Sequence, residues 1–270
     1  MSSPDTLLSG VALITGGASG IGRATSLALV SHGVRRLGIL DIDMVKAEET
    51  TLELKSKFPD VEVILVHADM ANEESVITGI NKIVQNFGRI DYAVNNAGVG
   101  GKLGPTTEIS GSDFRSTIDI NLIGLWVCQR EEIRHMLKQE PLENGSAVRN
   151  RGVIVNMSSM LGAVGTCAET PAAAYCASKH GIVAITKSDA NYYGPENIRI
   201  NAICPGFVST PPMLHALRQS EIMKAELQKV PLRRFAKPEE IAEGVCFLAS
   251  PMSGYMCGAA MLMDGGYTAQ

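Results

Sequence analysis

Positive charge is scarce in this chain of 270 residues: 24 Lys and Arg stand against 28 Asp and Glu, for a net charge of -4. A polyanion would meet no basic footprint, so no nucleic-acid partner is expected. Charged residues of both signs make up only 19% and hydrophobic residues 45%, which excludes a disordered chain and allows a sizeable core. Long apolar runs are also missing. The stretches Gly10 to Ile14 and Leu122 to Cys128 are far too short to cross a bilayer, and no membrane partner is expected. Cysteine pairs are absent: the six cysteines (128, 167, 176, 204, 246, 257) show neither C-x-x-C nor zinc spacing. They read as small core thiols in a reducing compartment. The five histidines, at 32, 67, 135, 180 and 215, form no ligand-like cluster, so no metal is expected. Met1-Ser2-Ser3-Pro4-Asp5 has neither the basic nor the apolar part of a signal peptide, and Thr268-Ala269-Gln270 is no peroxisomal address. A cytoplasmic location is expected.

What the chain does have is short apolar runs alternating with helical stretches. Strands are expected at Val11 to Ile14, Leu37 to Leu40, Val61 to Val66, Ile90 to Val94, Gly152 to Met157, Ile198 to Ile203 and Ala260 to Gly266. Helices are expected at Arg23 to Ser31, Met44 to Phe58, Asn72 to Phe87 (closed by Gly88), Phe114 to Leu137, Ala172 to about Tyr193 and from Pro238. This order implies an α/β fold of right-handed βαβ crossovers with one parallel sheet. The length suits one large domain over 1–270.

Between the first strand and helix lies Thr15-Gly16-Gly17-Ala18-Ser19-Gly20-Ile21-Gly22. Glycines there let the backbone turn sharply and approach a pyrophosphate, and the helix N-terminus offers free N–H groups. Asp41, at the end of the second strand, stands where a carboxylate can accept from both adenosine ribose hydroxyls and repel a 2′-phosphate. Neither Ser19 nor Ile42 brings a cation, so NAD is expected over NADP. Further on, Tyr175 and Lys179 stand at i, i+4, on one face of a helix. A cation near a phenol stabilises the phenolate and suits it to proton transfer.

The ordered set Thr15-Gly16-x-x-x-Gly20-x-Gly22, Asp69, Asn95-Asn96-Ala97-Gly98, Asn121, Ser159, Tyr175-x-x-x-Lys179 and Pro205-Gly206 resembles the short-chain dehydrogenase/reductase family over essentially the whole chain. The resemblance implies a Rossmann-like, doubly wound, seven-stranded parallel sheet with helices on both faces. It implies Asn121, Ser159, Tyr175 and Lys179 as the catalytic set. Ser159 would polarise the substrate oxygen, and the backbone carbonyl of Asn121 would hold a water linking Lys179 to solvent. A bland reading of Asn121, a cap or kink in its helix, stands beside this one. The implied cofactor contacts are Gly16, Ser19, Gly20, Ile21, Gly22, Asp41, Ile42, Asp69, Met70, Asn96, Ala97, Gly98, Tyr175, Lys179, Pro205, Gly206, Val208 and Thr210. Of these, Val208 (through its backbone) and Thr210 would meet the carboxamide. The segment 208–237 would form a lid on which Met213, Leu214 and Leu217 either cover an apolar substrate or pack in the core. The family also implies a homotetramer, with the helices of Asn121 and Tyr175 as candidate interface elements. Ser159 precedes Tyr175 by 16 residues, a longer gap than is usual, with the extra length in Gly162 to Ala174. No role is assigned to it or to the polar insertion Gln139 to Arg151.

In this reading Tyr175, its pKa lowered by Lys179 and by the positive nicotinamide, takes or gives the proton while hydride passes between NAD(H) and a secondary alcohol or ketone, hydrophobic or cyclic. One alternative is an NADPH-dependent reductase of a carrier-bound or polyketide-like ketone. The other is a non-redox binding or scaffold protein on a dinucleotide fold, which would have no need of the intact Ser159/Tyr175/Lys179 set.

Overall fold

The computed structural model describes residues 6–142, 150–211, 213–215 and 220–269. The stretch Met1-Ser2-Ser3-Pro4-Asp5, Asn144-Gly145-Ser146 of the polar insertion, Pro212, Leu217 and Gln270 lie outside them. Seven strands form one parallel sheet in the order β3-β2-β1-β4-β5-β6-β7. They are β1 (Val11–Thr15), β2 (Arg36–Asp41), β3 (Glu62–His67), β4 (Tyr92–Asn95), β5 (Gly152–Met157), β6 (Ile198–Pro205) and β7 (Ala260–Met263). Each expected strand is present. β7 is shorter than the sequence suggests, because Asp264, Gly265 and Gly266 turn away, the glycines at φ 65 and 89.

The helices are α1 (Gly20–Ser31), α2 (Met44–Lys57), α3 (Glu73–Phe87), α4 (Gly111–Ile118), α5 (Leu125–Met136), α6 (Ala173–Tyr193), α7 (Glu221–Lys229) and α8 (Pro238–Ala249). Gly88 ends α3 in the left-handed region (φ 79), where glycine has no Cβ penalty. Alternation along the strands feeds two cores. Ala12 and Ile14 face Leu29 and Val30 of α1, Leu54 of α2 and Ile241 and Val245 of α8. Val11 and Leu13 face Val76, Ile80 and Ile83 of α3 and Val127 and Ile133 of α5. The sheet is doubly wound.

The expected single helix from Phe114 to Leu137 is interrupted. A π-helical turn, Asp119–Gly124, separates α4 from α5 and carries Asn121 near its middle. Such wide turns disturb the i→i−4 bonding and re-aim one residue, and they gather at functional sites. The kink belongs to Asn121's place in the fold.

A buried guanidinium ties the far end of the sheet. Arg199 of β6 donates to the carbonyls of Leu248 and Ser250 (both 3.1 Å) at the end of α8 and to those of Ser253 (3.1 Å) and Met256 (3.3 Å) beyond it. It shares these carbonyls with Ser253 Oγ, which donates to Leu248 at 2.8 Å, and with Asn201 Nδ2, which donates to Met256 at 2.9 Å. Arg199→Ala should lower unfolding stability by about 2–4 kcal/mol, and Arg199→Lys should recover only part, because an ammonium cannot fork to both ends. Urea denaturation of the three proteins checks this.

Candidate active site

The strand ends that face one way build two halves of a site. In the first half, the turn after β1 is closed by backbone contact. Gly16 and Gly20 have φ 66 and 53. A Cβ on Gly22 would lie 1.9 Å from the Gly16 carbonyl oxygen, and one on Gly16 would lie 2.9 Å from Ala97 Cα. Asn96 Nδ2 donates to the carbonyls of Thr15 (3.1 Å) and Gly16 (2.9 Å). Thr15 Oγ1 accepts from the N–H groups of Asn96 and Ala97, both at 3.1 Å. Asn96 and Ala97 therefore brace the glycine turn.

The helix that follows has no acid in its first turn, and its exposed N-cap Ser19 makes no side-chain cap. Its first N–H groups, Ile21 and Gly22 among them, face the open turn and suit an anion. The Asp41 carboxylate accepts from Ala18 N and Asp43 N, each at 2.9 Å, which holds it at the edge of the turn beside exposed Ile42. Asp69 follows β3, and its carboxylate accepts from Ala71 N at 2.9 Å. Met70 is buried, and its carbonyl lies 2.3 Å from where a Cβ on Gly124 would be. A cleft of about 480 Å³ lies alongside, lined by residues including Ser19, Arg23, Lys46, Glu49 and Glu239. Its cations are already paired, Arg23 with Glu53 and Lys46 with Asp43. Free N–H groups for a pyrophosphate and a fixed acid for a ribose fit a dinucleotide.

The second half lies over β5 and α6. Ser159 follows β5, and its Oγ accepts from Leu161 N at 3.1 Å, which fixes its rotamer. It also lies near enough to the phenol of Tyr175 to pull its pKa down. Lys179 Nζ sits 5.5 Å from the centroid of the Tyr175 ring and donates to the Met157 carbonyl at 2.8 Å. Ser158 Oγ donates to the Lys179 carbonyl at 2.9 Å. The fully buried Asn121 clamps Val99 through both side-chain atoms at 2.8 Å, with a further bond to Ser178 Oγ at 3.3 Å. A Cβ on Gly98 would lie 3.1 Å from Asn121 Oδ1 and 3.7 Å from Lys179 Nζ. Ser159, Tyr175, Lys179, Asn121 and Gly98 converge. The Asn121 side chain is occupied by the backbone of Val99.

Burial is the first cause acting on both groups of the pair. It pushes the Tyr175 phenol above its ordinary value, with Ser159 pulling it down. Burial likewise pushes Lys179 down to about 8, with the Cys204 thiol nearby acting in the opposite sense. Burial opposes the charged form of each group, and Lys179 remains protonated below about 8.

Beyond β6, the turn at Pro205-Gly206 passes against the C-terminal segment, where a Cβ on Gly206 would lie 2.7 Å from Asp264 Cα. Buried Val208 bridges Ala236, so the segment 208–237 leaves and rejoins the body at one point. Thr210 comes down over the glycine turn, its methyl 3.3 Å from where a Cβ on Gly20 would be. Met213 and Leu214 are half-buried. Sequence reasoning missed what holds α7. The buried residue of that helix is Glu226, which accepts from Tyr267 Oη at 2.7 Å and from Lys229. Cys167 Sγ, in the lengthened 162–174 loop, lies within 4.8 Å of the Glu226 carboxylate. These residues come from three distant segments with no shared pattern, so no sequence signal joins them.

A family model described as enoyl-(acyl carrier protein) reductase matches residues 16–268. Short-chain dehydrogenase fogB of Aspergillus ruber is 37% identical, with 97% of each chain covered. Cis-4-hydroxycyclohexanecarboxylate dehydrogenase of Sinomonas cyclohexanicum is 34% identical over 96% of each. Levodione reductase of Leifsonia aquatica is 34% identical, covering 99% of this chain and 98% of its own. A levodione reductase crystal structure superposes with a TM-score of 0.87 at 33% identity, covering 96% of this chain and 98% of its own.

The buried ammonium makes a prediction about stability. A lysine depressed to about 8 is protonated at lower pH in both the folded and unfolded states, so its full desolvation penalty applies there. Between about 8 and the unfolded value near 10.5, folding releases the proton and the penalty fades. The wild-type protein should therefore gain up to about 1.4 kcal/mol of stability per pH unit from this group across that window, and Lys179→Met should not. Denaturation at a series of alkaline pH values measures the slope.

Proposed function

We propose that this chain, which belongs to the short-chain dehydrogenase/reductase family, transfers hydride between NAD(H) and a secondary alcohol or ketone, hydrophobic or cyclic, as a single domain over 1–270. The observation that carries the reading is the convergence of the Ser159 hydroxyl and the Lys179 ammonium on the phenol of Tyr175. Bound NAD(H) supplies the hydride acceptor or donor. Tyr175 takes the proton from the alcohol oxygen in oxidation and returns it in reduction. Ser159, held by Leu161 N, orients that oxygen. Lys179 keeps positive charge under the ring at pH below about 8. Asn121 fixes the loop at Gly98 and Val99, and its π-turn backbone serves the water path between Lys179 and solvent.

The NAD preference is supported by Asp41 at the edge of the glycine turn and by Arg23 and Lys46, both already paired with carboxylates. A 2′-phosphate would meet an acid there and no uncommitted cation among the cleft's described residues. The remaining cofactor contacts in this reading are Gly16 through Gly22 for the pyrophosphate, Asp69 and Met70 for the adenine side, and Val208 and Thr210 for the carboxamide. A ring-bearing substrate is supported by the hydroxycyclohexane carboxylate named for one relative. The lid segment 208–237 would cover it. Exposed Tyr255, Met252 and Leu262 near the β7 edge, and Phe114, Ile123 and Trp126 on the helix of Asn121, support a homotetramer. A cytoplasmic location accords with six unpaired cysteines.

Fluorescence titration should show NADH binding at least about tenfold tighter than NADPH, and Asp41→Ala should narrow that gap. Tighter NADPH binding would instead favour the carrier-bound ketone reading. Tyr175→Phe should lower turnover about 10²–10⁴-fold while NADH affinity stays within a few-fold. Lost binding with retained turnover would overturn the role of Tyr175.

A further inference from the structure

A buried polar chain runs behind the site. Asn95 ends β4, Asn156 lies in β5, Gln129 and Glu132 lie on α5, and Thr186 and Asp189 lie on α6. Asn95 Nδ2 donates to Glu132 Oε2 at 2.9 Å and to Asn156 Oδ1 at 3.1 Å. Asn156 Nδ2 donates to Gln129 Oε1 at 2.6 Å and Thr186 Oγ1 at 2.9 Å, and Gln129 Nε2 to Asp189 Oδ2 at 2.6 Å. All but Asp189 are buried. Each of these four elements carries part of the site. β4 runs into Asn96-Ala97-Gly98, and β5 into Met157 and Ser159. α5 continues from the Asn121 turn, and α6 from Tyr175 and Lys179.

Two atoms of this chain lack a partner: Asn95 Oδ1 and Glu132 Oε1. They are the remaining oxygens of two side chains already joined through Nδ2 and Oε2. Were Glu132 ionised, both would be buried acceptors with no donor, which is costly. A carboxylic acid proton turns one of them into a donor. We propose that Glu132 is a positioning residue that acts as an un-ionised acid, holding the ends of β4 and β5 against α5 and α6 beneath the catalytic groups.

The surroundings agree. Burial raises the Glu132 carboxyl to about 8 against the Asn95 hydrogen bond, with no charged group among the causes. β4 and β5 present the two asparagines. From α6 comes Asp189, reached through Gln129. On α5 itself the buried Cys128 thiol is raised, by burial first and then by Glu132. The contacts of α5 with α3 run through Asn81 to His135 and Glu73 to Arg130. A carboxyl raised in the folded state contributes its stability fully below the unfolded value near 4.5 and loses it as pH rises toward 8. In that window the folding constant should fall by up to about tenfold per pH unit.

The test uses the purified full chain with glutamate carboxyls isotopically labelled. Infrared difference spectra should show a buried carboxylic acid band at neutral pH that titrates away near 8 and is missing in Glu132→Gln. Urea denaturation should show the wild-type folding constant falling with pH relative to that of Glu132→Gln. Glu132→Ala should weaken NADH binding by about tenfold or more through misplacement of the Asn96 loop, and Glu132→Gln should restore it. Parallel denaturation profiles, or no acid band in the wild-type protein at neutral pH, would overturn the proposal; the second result decides even if Glu132→Gln does not fold. The NADH arm rests on the function proposed above. Absence of NADH binding by the wild type, with the infrared and denaturation results as expected, would remove that reading and leave Glu132's role standing.

Discussion

The site depends on a desolvated ammonium. Lys179 is only 4% exposed, and its described contacts are the Met157 carbonyl and the face of Tyr175. Burying a cation with so little compensation works against folding. The fold holds it there by backbone means. Ser158 fixes the Lys179 carbonyl, and Gly162 lets the chain after β5 pass so close that a Cβ would lie 2.8 Å from that carbonyl oxygen. The same dry setting magnifies any field between Lys179 and a charge arriving above it. Pre-organisation and instability share one cause here.

The sheet was legible because short apolar runs between turn residues are what a doubly buried parallel strand requires. The glycine turn was legible for a related reason: Gly16, Gly20 and Gly22 serve backbone contacts that no side chain permits. The π turn at Asn121 was not, since Phe114 to Leu137 keeps one helical period and the wide turn is a tertiary effect. The burial of Tyr175 and Lys179 was not legible either, because sequence shows that a lysine stands four residues away but not that both are dry. Glu132 left a trace that went unread. Leu125, Cys128, Gln129, Glu132, Ile133 and Met136 repeat at helical spacing, which puts the acid on the buried face of α5.

The helix α7 is attached in an unusual way. A surface helix usually docks by an apolar stripe. In α7 the buried position is a carboxylate, while Ile222 stays exposed and Leu227 only half-buried. Burial opposes ionisation of Glu226, but hydrogen bonds from Lys229 and Tyr267 help outweigh it and hold the carboxyl below its ordinary value. A polar attachment of this kind is directional. It fixes how the helix sits against the 162–174 loop and the C-terminal turn, yet buries little apolar surface. The long Ser159–Tyr175 gap brings Cys167 within 4.8 Å of the Glu226 carboxylate on α7.

Two buried groups of the site region reach the same value from opposite sides. Lys179 falls to about 8 and Glu132 rises to about 8. Neither is among the causes of the other's shift, so each follows from its own desolvation. Below that pH the region carries the ammonium and a neutral acid; above it, a neutral amine and a carboxylate. The two groups thus shift in opposite directions for the same physical reason. The linkage signs oppose as well, since Glu132 removes stability as pH rises toward 8 and Lys179 returns it beyond 8. A phenol that must become an anion works best over an ammonium with no buried carboxylate behind it, so the electrostatically competent form of this site is the one below about pH 8.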